Sequence, residues 1–581
     1  MSHVDAILAR AKRIDRLMTW VITLGGLAII AAVLGMLLFI AQEASPLFQA
    51  PKVQGLQGMQ LAPAQALLVD ESGKTLFAID GSRGVRAHRM GEPEPLKVLI
   101  EGPALPWTLQ TPPTARGEFA VLGADGRLAF GQMKWDKPAG EQDPQGWTPK
   151  VEWKATLRTT QALSALLGAR LVEGRGLEST GTLVVLAQTQ TGLMLGRGEA
   201  GGDTPLGWTP LPLPDGATAT CAALSSDGSK VFAGTATGAI HLLEAESGSA
   251  LCRTELGEPV SALGFALGGT SLLVGGERGA LMAVQALQTE GQFRLQPFHR
   301  FAPLGGPVRG FMMSLRDKRF LAWTERQVVV DYLTTEQRLL DVPTQGAVHA
   351  ALSPRGDHLH ILGTSGQLQR WHLDAPHPQT TWKTLWGRVH YEGYEKPEHV
   401  WQSTGGTDDF EPKLSLVPLL FGTLKGTLYA MLFALPLAVF GALYTSQFAT
   451  PRLRNSIKPT VEIMAALPSV VLGFLAGLVL APLFERGAIH ILLLPACALL
   501  VGLVLAPIWM KTPLAFRNLW GEGREVLWVI PVILAGLALS QGVAPWFERV
   551  FLGGDFRQWL LAEHGLIYDQ RNALVVGFAM G

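Results

Sequence analysis

Hydrophobic and polar positions follow three different rhythms along the chain, and the changes between them divide it. From about Leu17 to Ala41 nearly every position is apolar, and at about 1.5 Å of rise per residue a helix of that run covers the ~30 Å hydrocarbon core of a bilayer. The pattern predicts a transmembrane anchor over 17–41 behind a polar terminus, 1–16. From Gln42 to Pro412 no run reaches spanning length, and short β-branched and apolar stretches alternate with glycine-rich turns. That is the texture of antiparallel strands. Long apolar runs return near Leu414–Phe448, Val461–Phe484, Ala488–Met510 and Val526–Val543, predicting four further spans. The first exceeds what a crossing needs, so Leu414-Ser415-Leu416-Val417-Pro418 is expected at an interface before the helix turns inward.

The middle region repeats itself. Leu224–Gly238 laid beside Leu352–Gly366 gives one pattern, a turn glycine (Gly228, Gly356), a short strand, and a second turn glycine ten positions on (Gly238, Gly366). Gly269 with Gly279 repeats it, and the pairs Gly73/Gly84, Gly117/Gly126 and Gly181/Gly192 approximate it. Asp317 stands where the glycine would be in Phe311–Phe320. These seven units start about 40 to 50 residues apart, with one longer gap before Gly181, which is the period of four-stranded propeller blades. The predicted fold class is therefore mixed: a polytopic α-helical membrane domain plus an all-β domain over 42–380, a seven-bladed β-propeller of the WD40-like kind. The Gly-His and Trp-Asp signatures are absent, and a pair of β-sandwiches is the alternative.

Composition fits this division, with 48% hydrophobic and only 17% charged residues. Net charge is zero, so nothing global points to nucleic acid, and local charge carries the topology. Arg10, Lys12, Arg13 and Arg16 precede the anchor, Arg452, Arg454 and Lys458 follow the first later span, and Lys511, Arg517 and Arg524 follow the third. By the positive-inside rule these groups are cytoplasmic, which puts the propeller, Glu485-Arg486-Gly487 and Phe547–Arg571 outside, with the N-terminus inside. Ala41-Gln42-Glu43-Ala44-Ser45 is a poor cleavage site, favouring an uncleaved anchor over a signal peptide. The aromatic and polar connector, 381–413, with Trp382, Trp386, Tyr391, Tyr394, Trp401, Asp408, Asp409 and Glu411, suits either the headgroup region or packing beneath the propeller.

Candidate chemistry is sparse. Cys221 and Cys252 lie in the β domain, where an oxidising compartment would let them pair, and Cys497 sits in an apolar run. His358 and His360 share a strand face without an evident third ligand, so no metal site is expected. There is no G-x-S-x-G elbow and no G-x-x-x-x-G-K-[ST] loop, so the chain is expected to be neither a hydrolase nor an ATPase. Within the spans, Lys425 and Glu462 are the ionisable residues weighed. Lys425 is placed either to help an anion cross or to snorkel, and Glu462 lies one helical turn from Lys458, a candidate structural pair.

Phe421-Gly422-Thr423-Leu424-Lys425-Gly426-Thr427, Leu435-Pro436-Leu437-Ala438, Tyr444-Thr445-Ser446-Gln447-Phe448, Ile457-Lys458-Pro459-Thr460-Val461-Glu462 and Leu467-Pro468-Ser469-Val470-Val471-Leu472-Gly473-Phe474 together resemble the inner-membrane permease of bacterial phosphate ABC importers. The likeness covers about Leu414 to Phe484 and resumes at Tyr568–Gly577. The propeller is a departure, marking a large-insert branch. The resemblance implies a bacterial plasma-membrane permease core over 414–581 that pairs with a second homologous permease. A periplasmic phosphate-binding protein would supply the solute, and a cytoplasmic ATPase dimer would bind ATP, so no cofactor is expected in this chain. It places Thr423, Lys425, Thr427 and Ser469 on the substrate path, with Pro436, Pro468, Gly473 and Gly477 as hinge or packing positions. In that family the coupling loop follows the last helix. Asn572 to Gly581 is about half a span, so the chain is expected to stop short of that loop and not to couple ATP hydrolysis alone. The rival expectation is a membrane-anchored propeller acting as sensor or assembly scaffold.

Overall fold

The computed structural model describes residues 3–92, 94–99, 103, 105–136, 148–159, 163–172, 181–190, 192–200, 205–407, 409–465, 469–513, 529–569 and 572–581. The chain forms two compact units, Met1–Leu416 and Val417–Gly581. The first opens with α1 (His3–Ala44), a 42-residue helix that contains the expected anchor.

Seven four-stranded antiparallel sheets follow. Blade 1 runs from Ala66–Val69 to Lys97–Leu99, blade 2 from Trp107–Thr111 to Thr148–Arg158, and blade 3 from Ala165–Val172 to Gly207–Pro210. Blades 4, 5 and 6 start at Ala219–Leu224, Val260–Phe265 and Gly310–Met313. Blade 7 takes three strands from Ala347–Asp374 and its fourth, outermost strand from Lys52–Gln60, which pairs with Gln367–Asp374 in register Lys52 to Asp374. The first strands of successive blades meet, and the ring closes where Ala66–Val69 meets Ala347–Leu352. This is a seven-bladed propeller, and a sandwich pair is excluded. The closing strand was not foreseen because its side chains are mostly exposed and its partner lies some 300 residues away.

Each of the seven sequence units is one blade. The first turn residue joins the blade's first and second strands, and the second joins the second and third. Gly279 shows why glycine recurs, since its φ is +96° and a Cβ there would lie 1.9 Å from the Leu304 carbonyl oxygen. Asp317 replaces a glycine by fixing its turn with a side chain. The Arg319 N–H donates to Asp317 Oδ1 at 3.2 Å and the guanidinium Nε lies 2.9 Å from Oδ2. Second and third strands are sandwiched between neighbouring blades, so Thr75–Asp80 or Ser271–Gly276 is buried along nearly its whole length. The core is the set of apolar layers between blades, such as Phe77 and Ile79 against Trp107, Phe119 and Val121.

The second unit is helical: α3 (Val417–Leu443), α4 (Pro451–Ala465), α5 (Ser469–Leu475), α6 (Ala481–Lys511), α7 (Val529–Phe551), α8 (Phe556–His564) and α9 (Ala573–Met580), α2 (Trp382–Trp386) lying earlier in the connector. Among the described residues four helical stretches are long and apolar enough to cross a membrane: Ile14–Phe48, Val417–Phe448, Gly487–Lys511 and Val529–His564. One expectation changes here. Lys413–Leu414 is a short strand paired with Trp401–Gln402, and the Ser415 and Leu416 amides donate to the Val400 and Leu385 carbonyls, so α3 starts only at Val417. Within the run expected from Val461 to Phe484, Val461 lies on α4 with Arg452, Arg454 and Lys458, residues 466–468 lie outside the described residues, and the described apolar helical stretch Val470–Glu485 is by itself shorter than a span.

Candidate functional site

Thr423 and Thr427 lie one turn apart on α3 and each hydroxyl donates to the carbonyl four residues back, Leu419 and Thr423, at 2.9 Å. Such bonds satisfy a hydroxyl inside an apolar helix without a partner. Lys425, two positions away, projects from the opposite side of the helix, and its Nζ lies 5.9 Å from the centre of the Tyr429 ring. All three side chains are exposed, and they do not converge. Ser469 opens α5, with its side chain outside the described residues, as are Leu467 and Pro468.

Pro436 lies inside α3, where its missing N–H frees the Leu432 carbonyl. Gly477 lies in a π-helical turn, Ala476–Leu480, between α5 and α6, and Gly487 breaks α6 with φ −138° and ψ 36°. π turns mark places where a helix can change its packing. Gly473 and Gly477 line a cavity of about 380 Å³ with Leu472, Ala476, Val575 and Met580. Among the described residues its lining carries no polar side chain, and such apolar walls offer an anion nothing to replace its water.

Close helix packing comes from small residues that the sequence reading passed over. At Gly577 of α9 a Cβ would lie 2.4 Å from Tyr429 Cβ of α3, and at Gly536 of α7 it would lie 2.7 Å from Ala498 Cα of α6. Gly536, Ser540 and Ala544 are all buried and repeat every fourth position, a spacing visible in the sequence.

The other concentrated chemistry lies in the first unit, where the connector docks against blades 5 and 6. Glu392 accepts from Ser271 Oγ and from Lys318 Nζ, each at 2.5 Å, and Lys318 also donates to the Leu267 carbonyl at 2.7 Å. Glu411 accepts from Thr334 Oγ1 and, at 2.8 Å, from the Glu392 N–H. Gln285, fully buried, donates to the Tyr394 carbonyl and accepts from the Gly393 N–H, both at 2.8 Å. Burial, with the Glu392 carboxylate as a second cause, pushes the Glu411 carboxyl up to about 7. Of the two placements left open for the connector, Tyr391 and Glu411 take the packed one, while Trp382, Trp386 and Trp401 stay exposed. Asp408 lies outside the described residues.

His358 contacts Asp357 at 2.9 Å and its ring lies 4.7 Å from that of His372, tilted by 44°, while His360 is fully buried. The three cysteines are free. Cys221 and Cys252 occupy the first and fourth strands of blade 4, three strand spacings or about 14 Å apart, too far for a bridge.

Over 78 residues the chain is 32% identical to "Probable ABC transporter permease protein YqgH" of Bacillus subtilis (strain 168). It is similar to a permease. The match takes in 13% of this chain and 25% of that protein, so the chain spans about a quarter of the length of the curated relative it matches. No protein-family profile matches. Among solved structures, the β-propeller domain of Cps50 (Swd1) from Myceliophteria thermophila covers 56% of this chain and 100% of its own, at TM-score 0.40 and 11% identity. The propeller assignment rests on the strand order given above.

Proposed function

We propose that the chain is a permease subunit of an ABC importer, with inorganic phosphate as its solute. The observation that carries this reading is the permease similarity in a chain whose described residues include four helices of spanning character. In this reading α3 and α5–α9 form part of a translocation path completed by a second permease, and a separate ATPase dimer binds ATP and drives it. A phosphate-binding protein delivers the solute on the propeller side, and the basic groups Arg452, Arg454, Lys458 and Lys511 face the cytoplasm.

Lys425 is the residue we place on the path, because a cation on an apolar helix attracts an anion that the apolar cavity repels. Thr423, Thr427 and Ser469 are secondary candidates, and Pro436, Pro468, Gly473 and Gly477 are proposed hinge or packing positions.

Uptake of labelled phosphate by cells lacking their own permease, complemented with the full reading frame and its partners, tests the reading. Restored ATP-dependent uptake supports it. Unchanged uptake together with altered phosphate-responsive expression identifies a sensor or scaffold instead.

A further inference from the structure

Within the second unit, α4 combines an apolar stripe with a basic surface. Its apolar positions Leu453, Ile457, Val461 and Met464 recur at intervals of four, four and three, one stripe of a 3.6-residue helix. Arg452, Arg454, Asn455, Ser456, Lys458, Pro459 and Glu462 occupy most of the remaining surface, with Thr460 at the border of the stripe and Ile463, 68% exposed, beyond it. Among the described residues nothing covers the far end of the stripe, where Val461 is 57% and Met464 62% exposed. The basic residues outnumber Glu462 three to one, and Arg452 and Lys458 are exposed.

Three observations say what covers this face. The helix begins three residues after the apolar stretch Val417–Phe448 ends, so it starts at the edge of a span. Arg454 secures that corner, donating from Nε to the Thr445 carbonyl at 3.0 Å and from Nη2 to the Ser446 carbonyl at 2.8 Å. Pro459 has no N–H for the Asn455 carbonyl, and both positions lie on the polar arc, where water can satisfy that oxygen and hydrocarbon cannot.

We propose that α4 lies along the bilayer surface, its Leu453–Met464 stripe among the acyl chains and Arg452 and Lys458 against the phosphates of anionic lipid headgroups. The arrangement combines an apolar stripe with cationic neighbours long enough to reach headgroups while their stems stay in the apolar layer. It requires that the chain be in a membrane, and is independent of which solute, if any, the chain transports.

The test uses the full chain in vesicles of phosphatidylcholine and phosphatidylglycerol, with Cys221, Cys252 and Cys497 replaced by alanine. Single spin labels are placed through Asn455→Cys, Ser456→Cys, Ile457→Cys, Val461→Cys, Glu462→Cys and Met464→Cys. Oxygen should reach the labels at 457, 461 and 464, and an aqueous nickel chelate those at 455, 456 and 462. Oxygen access all round the helix would mean a span, and nickel access all round a solvated helix; either overturns the proposal. Protection of 461 and 464 from both reagents only when ATPase is added would replace the lipid with a protein partner. In a second arm, Arg452→Gln and Lys458→Gln should each lower the preference of α4-adjacent spin-labelled phosphatidylglycerol over phosphatidylcholine by up to about fivefold. An unchanged preference would overturn the headgroup contact.

Discussion

Glu411 is the residue at which burial and charge act most strongly on one another. Its carboxyl titrates near 4.5 in an unfolded chain and is pushed up to about 7 in the fold, so between those values the folded state holds the proton more tightly. Its contribution to stability is therefore full below about 4.5 and falls as pH rises to about 7, by an amount on the order of 3 kcal/mol. Glu411→Gln can accept from the Glu392 N–H and donate to Thr334, keeping both bonds. Melting curves from pH 4.5 to 8 should show wild type losing stability relative to this variant as pH rises; parallel curves would remove Glu411 as the cause. Burial acts in the opposite sense on His349 and His360, which it holds at about 4 and about 3, so only the comparison between variants isolates the carboxyl. Lys318→Met leaves Glu392 buried without its cation and should cost about 3–5 kcal/mol in denaturant unfolding of the first unit. None of these contacts could be read beforehand, because Ser271, Gln285, Lys318 and Thr334 are scattered over strands and turns of blades 5 and 6 and meet the connector only through the fold.

At the scale of elements, packing decides what hydropathy leaves open. The Gly577 contact with Tyr429 leaves no room for a side chain, so Gly577→Leu should separate α9 from α3. A reporter disulfide between cysteines placed at 433 and 578, whose rings lie 5.5 Å apart, should form in an otherwise cysteine-free chain and be lost in the Gly577→Leu variant. Gly536→Leu should disturb the α6–α7 pair in the same way, with a fall of several degrees in melting temperature in detergent. If the transport reading holds, Lys425→Gln should reduce phosphate uptake at least tenfold with surface expression unchanged, whereas Lys425→Arg keeps much of it; equal uptake by all three would leave Lys425 as a snorkelling residue. The apolar runs were legible as runs, but the amphipathic character of α4 was not. A window average merges the amphipathic Leu453–Met464 stripe with the uniformly apolar stretch that begins at Val470, although their periodicities differ.

For the whole molecule, the turn chemistry carried the architecture. Positive φ at Gly73, Gly84, Gly117, Gly126, Gly228, Gly238, Gly269, Gly279, Gly356 and Gly366 is a local requirement of the backbone, so the blade period is written in the residues themselves. The closing strand is different. Deleting Lys52–Gln60 should expose the Gln367–Asp374 edge and lower the melting temperature of the propeller more than deleting an equal length of an exposed loop. Local steric and solvation demands, a glycine where φ is positive and an apolar run where lipid is the solvent, act within a few residues and so were fixed by sequence alone. Ring closure by Lys52–Gln60, docking of the connector through Glu392 and Glu411, and the approach of Gly577 to Tyr429 depend on groups tens to hundreds of residues apart. Only the tertiary structure decided those, because burial and shape become specific once both partners are in place.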